Sequence, residues 1–197
     1  MFVEIKRVDP DLLGMYAAIP IAFRVEAILR VDAIDHGLGG LALAEEKADP
    51  TYVKYDSQDS DDESDSPVAW PKRFDVTRWG IFLAYDGPWP MGGAAVAIDA
   101  PGLNVLEDRH DLTVLWDIRV RADVRSRGIG TALLRHAAEW AKQQGCTQLK
   151  IETQNVNVPA CRFYASRGCT LGAIQRYGYA ACPSVAHEAM LLWYLDL

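Results

Sequence analysis

The sequence has few cysteines and none of the patterns by which cysteines bind metals or form redox pairs. Its 197 residues include four cysteines, at positions 146, 161, 169 and 182, and no two of them form a Cys-x-x-Cys pair. No pair of histidines completes a zinc-ligand pattern. We therefore expect no metal site, and we expect reduced, buried thiols at Cys161 and Cys169, which lie in apolar segments.

Basic residues are also scarce, and the apolar segments are short. The 20 Lys and Arg residues are outnumbered by 27 Asp and Glu residues, which gives a net charge of −7. This charge argues against general nucleic-acid binding, which needs a basic face. No apolar run is long enough to span a membrane, and the first seven residues lack the apolar core of a signal peptide. We therefore predict a single cytoplasmic domain over residues 1–197 that binds neither nucleic acid nor membranes.

The acidic residues are concentrated in one segment. Six of them fall between Asp56 and Asp65, with several serines and no basic residue. Such a composition buries little apolar surface, so we predict a mobile acidic loop at 56–66. Two interpretations stand side by side: an acidic lip that attracts a polycationic substrate, or a solvated linker that aids solubility.

Two common nucleotide-binding motifs are missing, and a different glycine loop is present. There is no Gly-Lys-Ser/Thr, and no complete Gly-x-Gly-x-x-Gly opens a βαβ unit. Instead, Arg125-Ser126-Arg127-Gly128-Ile129-Gly130 lies between an apolar strand and an amphipathic helix. Backbone N–H groups, the positive end of the helix dipole and two arginines then converge, which favours a diphosphate ligand. The alternative is a tight turn with solvated arginines.

The segments around this loop alternate between strand and helix. Strands are predicted over Val3–Val8, Arg24–Asp32, Leu41–Glu46, Gly80–Tyr85, Gly92–Ile98, Leu112–Val120, Gln148–Thr153, Thr170–Gln175 and Ala189–Asp196, with helix as an alternative for the second. Helices are predicted after Asp9-Pro10-Asp11, from Ile129 to about Gln144, and from about Pro159 to Arg167. We expect all strands to join one mixed sheet.

A second block of residues carries a family pattern. Asn157 is followed by Ala160, Tyr164 and Gly168, at spacings of three, seven and eleven residues. Together with the basic glycine loop, this block resembles the GCN5-related N-acetyltransferases (GNAT). Cys169 departs from the pattern, because many members have Phe there. The segment Glu152-Thr153-Gln154-Asn155 to Cys161, and the Leu-Leu-Trp-Tyr run near the end, resemble streptothricin acetyltransferases.

The resemblance implies a fold, a cofactor and a binding site. The fold would be an α/β acyltransferase fold, in which helices flank a mixed, mostly antiparallel central sheet whose strands splay apart at the cofactor site. The cofactor would be acetyl-CoA, as acetyl donor, and no metal would be needed. Its diphosphate and pantetheine arm would contact Ile118, Val120, Arg125, Ser126, Arg127, Gly128, Ile129, Gly130, Thr131, Asn157, Ala160 and Tyr164. Asn157 could instead, or in addition, cap the helix beside it.

Acetyl transfer also needs proton donors and acceptors. Tyr164 is our candidate for the general acid, because a phenol stays protonated at neutral pH; its other interpretation is a core tyrosine. Val120 N–H is the implied donor to the thioester oxygen. Asp117 and Glu152 are candidates for the general base, with a water chain as the alternative. Strand alternation puts Asp117 and Ile118 on opposite faces, and a bulge would change that.

The acceptor is less determined than the donor. We expect a small-molecule amine, such as a streptothricin-like antibiotic, and homodimers are common in this superfamily. Tyr177, Tyr179 and Trp193 are candidates for an acceptor pocket, although core packing explains them equally well. Two other functions stay open: a protein or peptide N-acetyltransferase, and a non-catalytic acyl-CoA-binding sensor.

Overall fold

The computed structural model describes residues 3–55, 66–100 and 102–197. These residues form two compact units. The first contains the described residues within Met1–Ile21, Asp56–Ile151 and Asp196–Leu197, and the second contains those within Ala22–Tyr55 and Glu152–Leu195. Of the predicted acidic loop at 56–66, all residues but the last lie outside the described residues. The single domain over 1–197 stays a prediction.

Nine strands and four α-helices are assigned in the described residues. The strands are β1 (Glu4–Arg7), β2 (Phe23–Ala33), β3 (Leu41–Lys54), β4 (Gly80–Asp86), β5 (Trp89–Ala97), β6 (Leu112–Val120), β7 (Gln148–Gln154), β8 (Thr170–Gln175) and β9 (Met190–Asp196). The α-helices are α1 (Leu13–Ala17), α2 (Trp70–Arg73), α3 (Ile129–Gln143) and α4 (Val158–Ser166). Short 3-10 turns link several of them, including Pro10–Leu12 and Ala122–Val124. Every predicted strand and helix is therefore present, and the short helix α2 was not predicted.

The first unit is built on a sheet with the strand order β1-β4-β5-β6-β7. The pairs β1–β4, β4–β5 and β5–β6 are antiparallel, and β6 pairs with β7 in parallel. Two neighbouring glycines of β5 let helices approach both faces. A Cβ on Gly92 would lie 3.1 Å from a Leu133 methyl of α3, and one on Gly93 would lie 2.5 Å from the Tyr16 ring of α1. Larger residues at either position would push a helix away from the sheet.

Strand β6 contains a bulge at Trp116. Ala95 of β5 is paired with Asp117, and the next residue, Val96, is paired with Leu115, so Trp116 is the extra residue. Two consecutive side chains then face the same side of the sheet: Trp116 packs against the core cluster that contains Tyr16, and Asp117 contacts Tyr16 itself. The bulge that the sequence left open is thus present.

Helix α3 packs on the sheet through an apolar stripe. Its buried residues recur at the helical period, as expected of the predicted amphipathic helix: Ile129, Leu133, Leu134, Ala137, Trp140 and Ala141. The helix is followed by Gly145, whose φ of +90° is a left-handed conformation that favours glycine. This glycine therefore ends the helix close to the predicted end at about Gln144.

In the second unit, β2 and β3 form a hairpin and β8 pairs with β9, both antiparallel. Strand, and not helix, is thus the structure of Arg24–Asp32, and β3 extends eight residues beyond the predicted Glu46, to Lys54. The expectation that all strands join one sheet is wrong for this hairpin, because β2 and β3 pair only with each other among the assigned strands. Charged residues alternate along β2, at Arg24, Glu26, Arg30 and Asp32, so one side of the hairpin stays in water.

Candidate active site

The basic glycine loop follows β6 and turns sharply into α3. A 3-10 turn over Ala122–Val124 leads into it, and two of its residues have left-handed backbones: Ser126 with φ +62° and Gly128 with φ +85°. Gly128 is the N-cap of α3. Gly128 thus adopts a backbone conformation that other residues rarely take, and the local turn exposes the start of the helix.

The first turn of α3 lacks a side-chain cap. Gly128 has no side chain to accept a hydrogen bond, and the first helical hydrogen bond runs from Ala132 N to Gly128 O, at 3.0 Å. The main-chain N–H groups of Ile129, Gly130 and Thr131 precede that bond and point out of the helix end. The side chain of Ile129 is buried against the sheet, so only its N–H is available to a ligand. An uncapped 15-residue helix suits an anion at this end.

Both arginines of the loop are anchored to the main chain nearby. Arg125 Nε donates to the carbonyl of Val120 at 3.0 Å, and Arg127 Nη2 donates to the carbonyl of Asp123 at 3.3 Å. Partial burial lowers the pKa of the Arg125 guanidinium, which still remains charged at neutral pH because its ordinary pKa is so high. The loop therefore places fixed positive charge at the end of β6.

The end of β6 lies beyond its pairing with β7. The parallel ladder runs from Leu112–Gln148 to Leu115–Ile151, whereas β6 continues to Val120 and stays paired with β5 there. The main chain of Ile118 and Val120, the predicted binding segment for the pantetheine arm, belongs to this extension. That the ladder ends early agrees with the predicted splaying of strands.

Asp117 has two strong partners in the first unit. Its Oδ1 accepts from the Tyr16 hydroxyl at 2.6 Å and from Arg119 Nε at 2.9 Å, and its Oδ2 accepts from Arg119 Nη2 at 2.5 Å. Burial, followed by the neighbouring carboxylate, raises the pKa of Tyr16 well above its ordinary value. Burial alone would lower the pKa of Arg119, but the neighbouring Asp117 carboxylate more than offsets this effect, so the pKa of Arg119 is raised. Both oxygens of Asp117 are occupied by hydrogen bonds, so a supporting role competes with the predicted role of general base.

Asn157, Ala160 and Tyr164 lie in the second unit, at and within α4. Asn157 is the N-cap of this helix, and its Oδ1 accepts from Ala160 N at 3.2 Å, so the capping role is confirmed. The amide Nδ2 is the group that this asparagine can offer to a ligand. Tyr164 is buried on α4, 5% exposed, with its ring 5.4 Å from that of Phe163.

Glu152 is exposed and accepts from the Tyr179 hydroxyl at 2.8 Å. Tyr179, one of the three aromatic residues predicted near the acceptor, thus contacts a candidate site residue. Tyr177 is 75% exposed, and Trp193 belongs to the core. Glu152 is thus accessible to a cationic ligand.

Sequence reasoning missed a structural role for Asn155, two residues before Asn157. Its Nδ2 donates to Leu29 O at 3.0 Å and its Oδ1 accepts from Ala189 N at 2.8 Å. Its main chain accepts from Leu29 N and donates to Ala189 O, both at 2.9 Å. One buried asparagine therefore joins β2 to the residue before β9, directly ahead of α4. The only sequence signal was a second asparagine in the Asn-x-Asn segment.

Metal ligands, membrane-spanning helices and cysteine thiols are the other features that the sequence raised. In the described part of the chain, no three His, Cys, Asp or Glu side chains are arranged to hold a metal ion. None of the helices assigned there has both the length and the apolar character to cross a membrane. Cys161 and Cys169 are buried free thiols, as predicted, and burial raises their pKa values to about 12 and about 11.

Comparison with known proteins identifies the family. The model of the acetyltransferase (GNAT) family matches residues 41–169. The chain belongs to this family. The predicted family and its fold class, a mixed and mostly antiparallel sheet with flanking helices, are confirmed.

Several relatives of this GNAT protein are named streptothricin acetyltransferases. The one from Bacillus subtilis (strain 168), streptothricin acetyltransferase A, is 44% identical over 92 residues, which are 47% of this chain and 53% of that protein. The one from Streptomyces lavendulae is 28% identical over 175 residues, 87% of this chain and 83% of that protein. The match thus spans about half the length of the first relative, and most of the second.

Solved structures agree on the fold. A Bacillus anthracis protein provisionally named streptothricin acetyltransferase, solved in complex with acetyl coenzyme A, superimposes with a TM-score of 0.77 at 22% identity, over 100% of both chains. Nourseothricin acetyltransferase superimposes with a TM-score of 0.75 at 25% identity, over 100% of this chain and 99% of that one. At such low identity, the likeness to the first structure establishes the fold alone.

Proposed function

We propose that this GNAT protein transfers the acetyl group of acetyl-CoA to a primary amine of a small cationic acceptor, such as a streptothricin-like antibiotic, and so confers resistance to it. The observation that carries the proposal is the uncapped start of α3 behind the loop of Arg125, Ser126, Arg127 and Gly128. This end offers the main-chain amides from Gly128 to Thr131 and two guanidinium groups to one anion. The pyrophosphate of coenzyme A has the matching charge and size.

Each half of the donor site has a distinct task in this proposal. Arg125, Ser126, Arg127 and the amides from Gly128 to Thr131 bind the pyrophosphate. The main chain of Ile118 and Val120 binds the pantetheine arm, and Val120 N–H donates to the thioester oxygen as negative charge grows there. Asn157, beside Ala160, contributes its amide Nδ2 to the same arm. Acetyl-CoA, when bound, supplies the activated acetyl group.

The chemistry then needs two protons removed from the acceptor nitrogen and one supplied to the leaving thiolate. The ammonium form of the acceptor first loses a proton, to Glu152, to Asp117 or to water. The acceptor nitrogen then bonds to the acetyl carbon while the carbon–sulfur bond breaks. The departing thiolate takes a proton from the Tyr164 hydroxyl, and the tyrosine regains a proton as the nitrogen of the new amide loses its second one. Of the two carboxylates, Glu152 is the better base candidate, because it is exposed and Asp117 is bound to Arg119.

A cationic acceptor is supported by charge and by the relatives' names. The chain has a net charge of −7, with six acidic residues between Asp56 and Asp65, and such a field attracts polyamines. Relatives that match 47% and 87% of the chain are named for streptothricin. A protein amine is the second candidate acceptor, and a non-catalytic acyl-CoA sensor is the second candidate function. A homodimer and a cytoplasmic location stay predictions.

Thiol release from acetyl-CoA tests the proposal. The purified protein is mixed with acetyl-CoA and a panel of amines: nourseothricin, spermidine, a lysine peptide and glycinamide. A colorimetric thiol reagent should report release that depends on nourseothricin and is weak with glycinamide. Release with the lysine peptide alone would favour a protein acceptor. Acetyl-CoA binding without release on any amine would favour the sensor.

A pair of matched arginine variants tests the donor site. Arg127→Gln removes one charge from the loop and should weaken acetyl-CoA binding by roughly tenfold, since a charge-assisted hydrogen bond is stronger than a neutral one. Arg135→Gln makes the same change on the exposed side of α3, where Arg135 is 74% exposed and pairs with Glu139, and should leave the affinity unchanged. Equal affinities for both variants in calorimetry would contradict the proposed pyrophosphate site.

A further inference from the structure

The first unit contains a buried polar group that the proposed reaction does not use directly. Tyr16, Asp117 and Arg119, named here the Tyr16 clamp, join α1 to the end of β6. Tyr16 is fully buried, and the side chains of Arg119 and Asp117 are 3% and 10% exposed. Burying a charged pair is costly, so its hydrogen bonds need good geometry to offset the desolvation.

The hydroxyl, the carboxylate and the guanidinium of the clamp all form hydrogen bonds. Asp117 accepts three hydrogen bonds from Tyr16 and Arg119, at 2.5–2.9 Å. Arg119 Nη1 also donates to the carbonyl of Ile19 at 3.1 Å, and its guanidinium carbon lies 5.0 Å from the centre of the Tyr16 ring. A fully satisfied network of this kind is rigid and specifies one arrangement of its elements.

The clamp acts on the strand segment that follows the bulge. The bulge at Trp116 places Asp117 and Arg119 on the α1 face, so Ile118 and Val120 alternate to the opposite face. Beyond Leu115 the β7 ladder no longer supports β6. The main chain of 117–120 is then held by β5 on one edge, by the clamp through its side chains and by Arg125 at the Val120 carbonyl.

We propose that Tyr16 and Arg119 are positioning residues for acetyl transfer. They lock the bulge of β6, and thereby fix the Ile118 and Val120 amides at which the pantetheine arm and the thioester oxygen bind. The inference rests on the proposed function. It also gives Asp117 the role of the carboxylate at the centre of the clamp, and it leaves the general base to Glu152 or water.

Tyr16→Phe is the sharpest variant, because it removes one hydroxyl and keeps the ring against Gly93 and Arg119. Tyr85→Phe is the matched control: it also removes a hydroxyl that contacts α1, at Met15 Sδ, 3.4 Å away. Tyr16→Phe should lower kcat about tenfold, and Tyr85→Phe should leave kcat within twofold. A general loss of stability in Tyr16→Phe would also lower kcat, so kcat alone does not identify a positioning role. A second measurement is therefore needed.

Comparing the affinities of two nucleotides measures the contribution of the pantetheine arm to binding. Adenosine 3′-phosphate 5′-diphosphate carries the pyrophosphate without pantetheine, so the ratio of its Kd to that of coenzyme A measures what the arm contributes. Tyr16→Phe should reduce this ratio at least threefold while the Kd of the shorter nucleotide stays the same. Amide hydrogen exchange in the ligand-free protein should become faster at Ile118 and Val120 in Tyr16→Phe alone.

The possible outcomes distinguish the positioning role of the Tyr16 clamp from the proposed acetyltransferase function. A lower ratio together with faster exchange supports the positioning role. An unchanged ratio and unchanged exchange in Tyr16→Phe overturn it, and the proposed function survives if the wild-type protein still releases thiol on an amine. If the wild-type protein binds neither nucleotide, the proposed function fails, and the inference fails with it.

Discussion

Replacing Glu188 with glutamine should destabilise the second unit far more than an ordinary surface substitution. Glu188 precedes β9 and pairs with Lys54, the last residue of β3, whose Nζ lies 2.5 Å from both carboxylate oxygens. The two side chains are only 3% and 5% exposed. Glu188→Gln leaves a buried ammonium without its counter-charge, and breaking a buried pair in this way costs about 3–5 kcal/mol. For a protein of this size, each kcal/mol lowers Tm by about 2–4 °C, so a fall of roughly 6–20 °C is expected.

Urea and thermal unfolding followed by circular dichroism measure this effect at pH 7. Glu45→Gln is the matched control, because Glu45 forms the Arg162 ion pair of the same unit with side chains 42% and 68% exposed. That variant should lose no more than about 1 kcal/mol. The double variant Lys54→Met/Glu188→Leu removes both charges and should recover most of the stability. The reasoning is refuted if Glu188→Gln matches Glu45→Gln, or if the double variant is less stable than Glu188→Gln.

Three further predictions concern catalysis, the loop and the thiols. Tyr164→Phe removes the proposed acid and should lower kcat more than the affinity for acetyl-CoA; a kcat within about twofold of wild type would exclude that role. Gly128→Ala forces an alanine to a φ of +85° and should cost about 1 kcal/mol in urea unfolding while weakening acetyl-CoA binding; equal stability would contradict the strain. A thiol reagent at pH 8 should label the exposed Cys182 first. Cys161 and Cys169 should react only on unfolding, because burial raises their pKa values to about 12 and about 11 and keeps the thiols protonated. For the same reason, the free energy of unfolding should be unaffected by these thiols below their ordinary pKa, and it should fall as the pH rises from there towards the raised values. Labelling of all three at one rate in the native protein would contradict the burial.

Local patterns predicted most of the elements around the site. The strand at Leu112–Val120 has the same bounds in the structure, and the apolar stripe of α3 is buried as its period indicated. Gly128 and Gly168 both adopt left-handed backbones beside helix ends, close to the predicted helix bounds. These features follow from neighbouring residues, whose spacing fixes which side chains share a face.

Contacts between distant residues were beyond the reach of such patterns. Tyr16 and Asp117 are 101 positions apart, and Lys54 and Glu188 are 134 apart, so no local period links them. The sequence predicts only a helix after Asp9-Pro10-Asp11, and the partner of the Tyr16 hydroxyl depends on where β6 lies. The bulge at Trp116 was left open for the same reason, since only pairing with β5 reveals an extra residue.

The bulge of β6 also determines which kinds of mutation the strand can survive. Trp116 is the extra residue, so deleting it would leave Asp117 opposite Ala95 and would keep Asp117 and Arg119 on the α1 face, with the packing of Trp116 lost. Inserting one residue directly after Asp117 would instead shift every later residue by one pleat, so Arg119 would turn towards α3 and Ile118 towards α1. A charge would then meet the apolar side of a helix, and Asp117 would lose its guanidinium partner. Exchanges of side chain along this strand can be compensated one at a time, whereas an insertion after the bulge inverts both surfaces at once. Insertions in descendants of this gene are therefore expected before Leu112 or after Val120, and not between Asp117 and Val120.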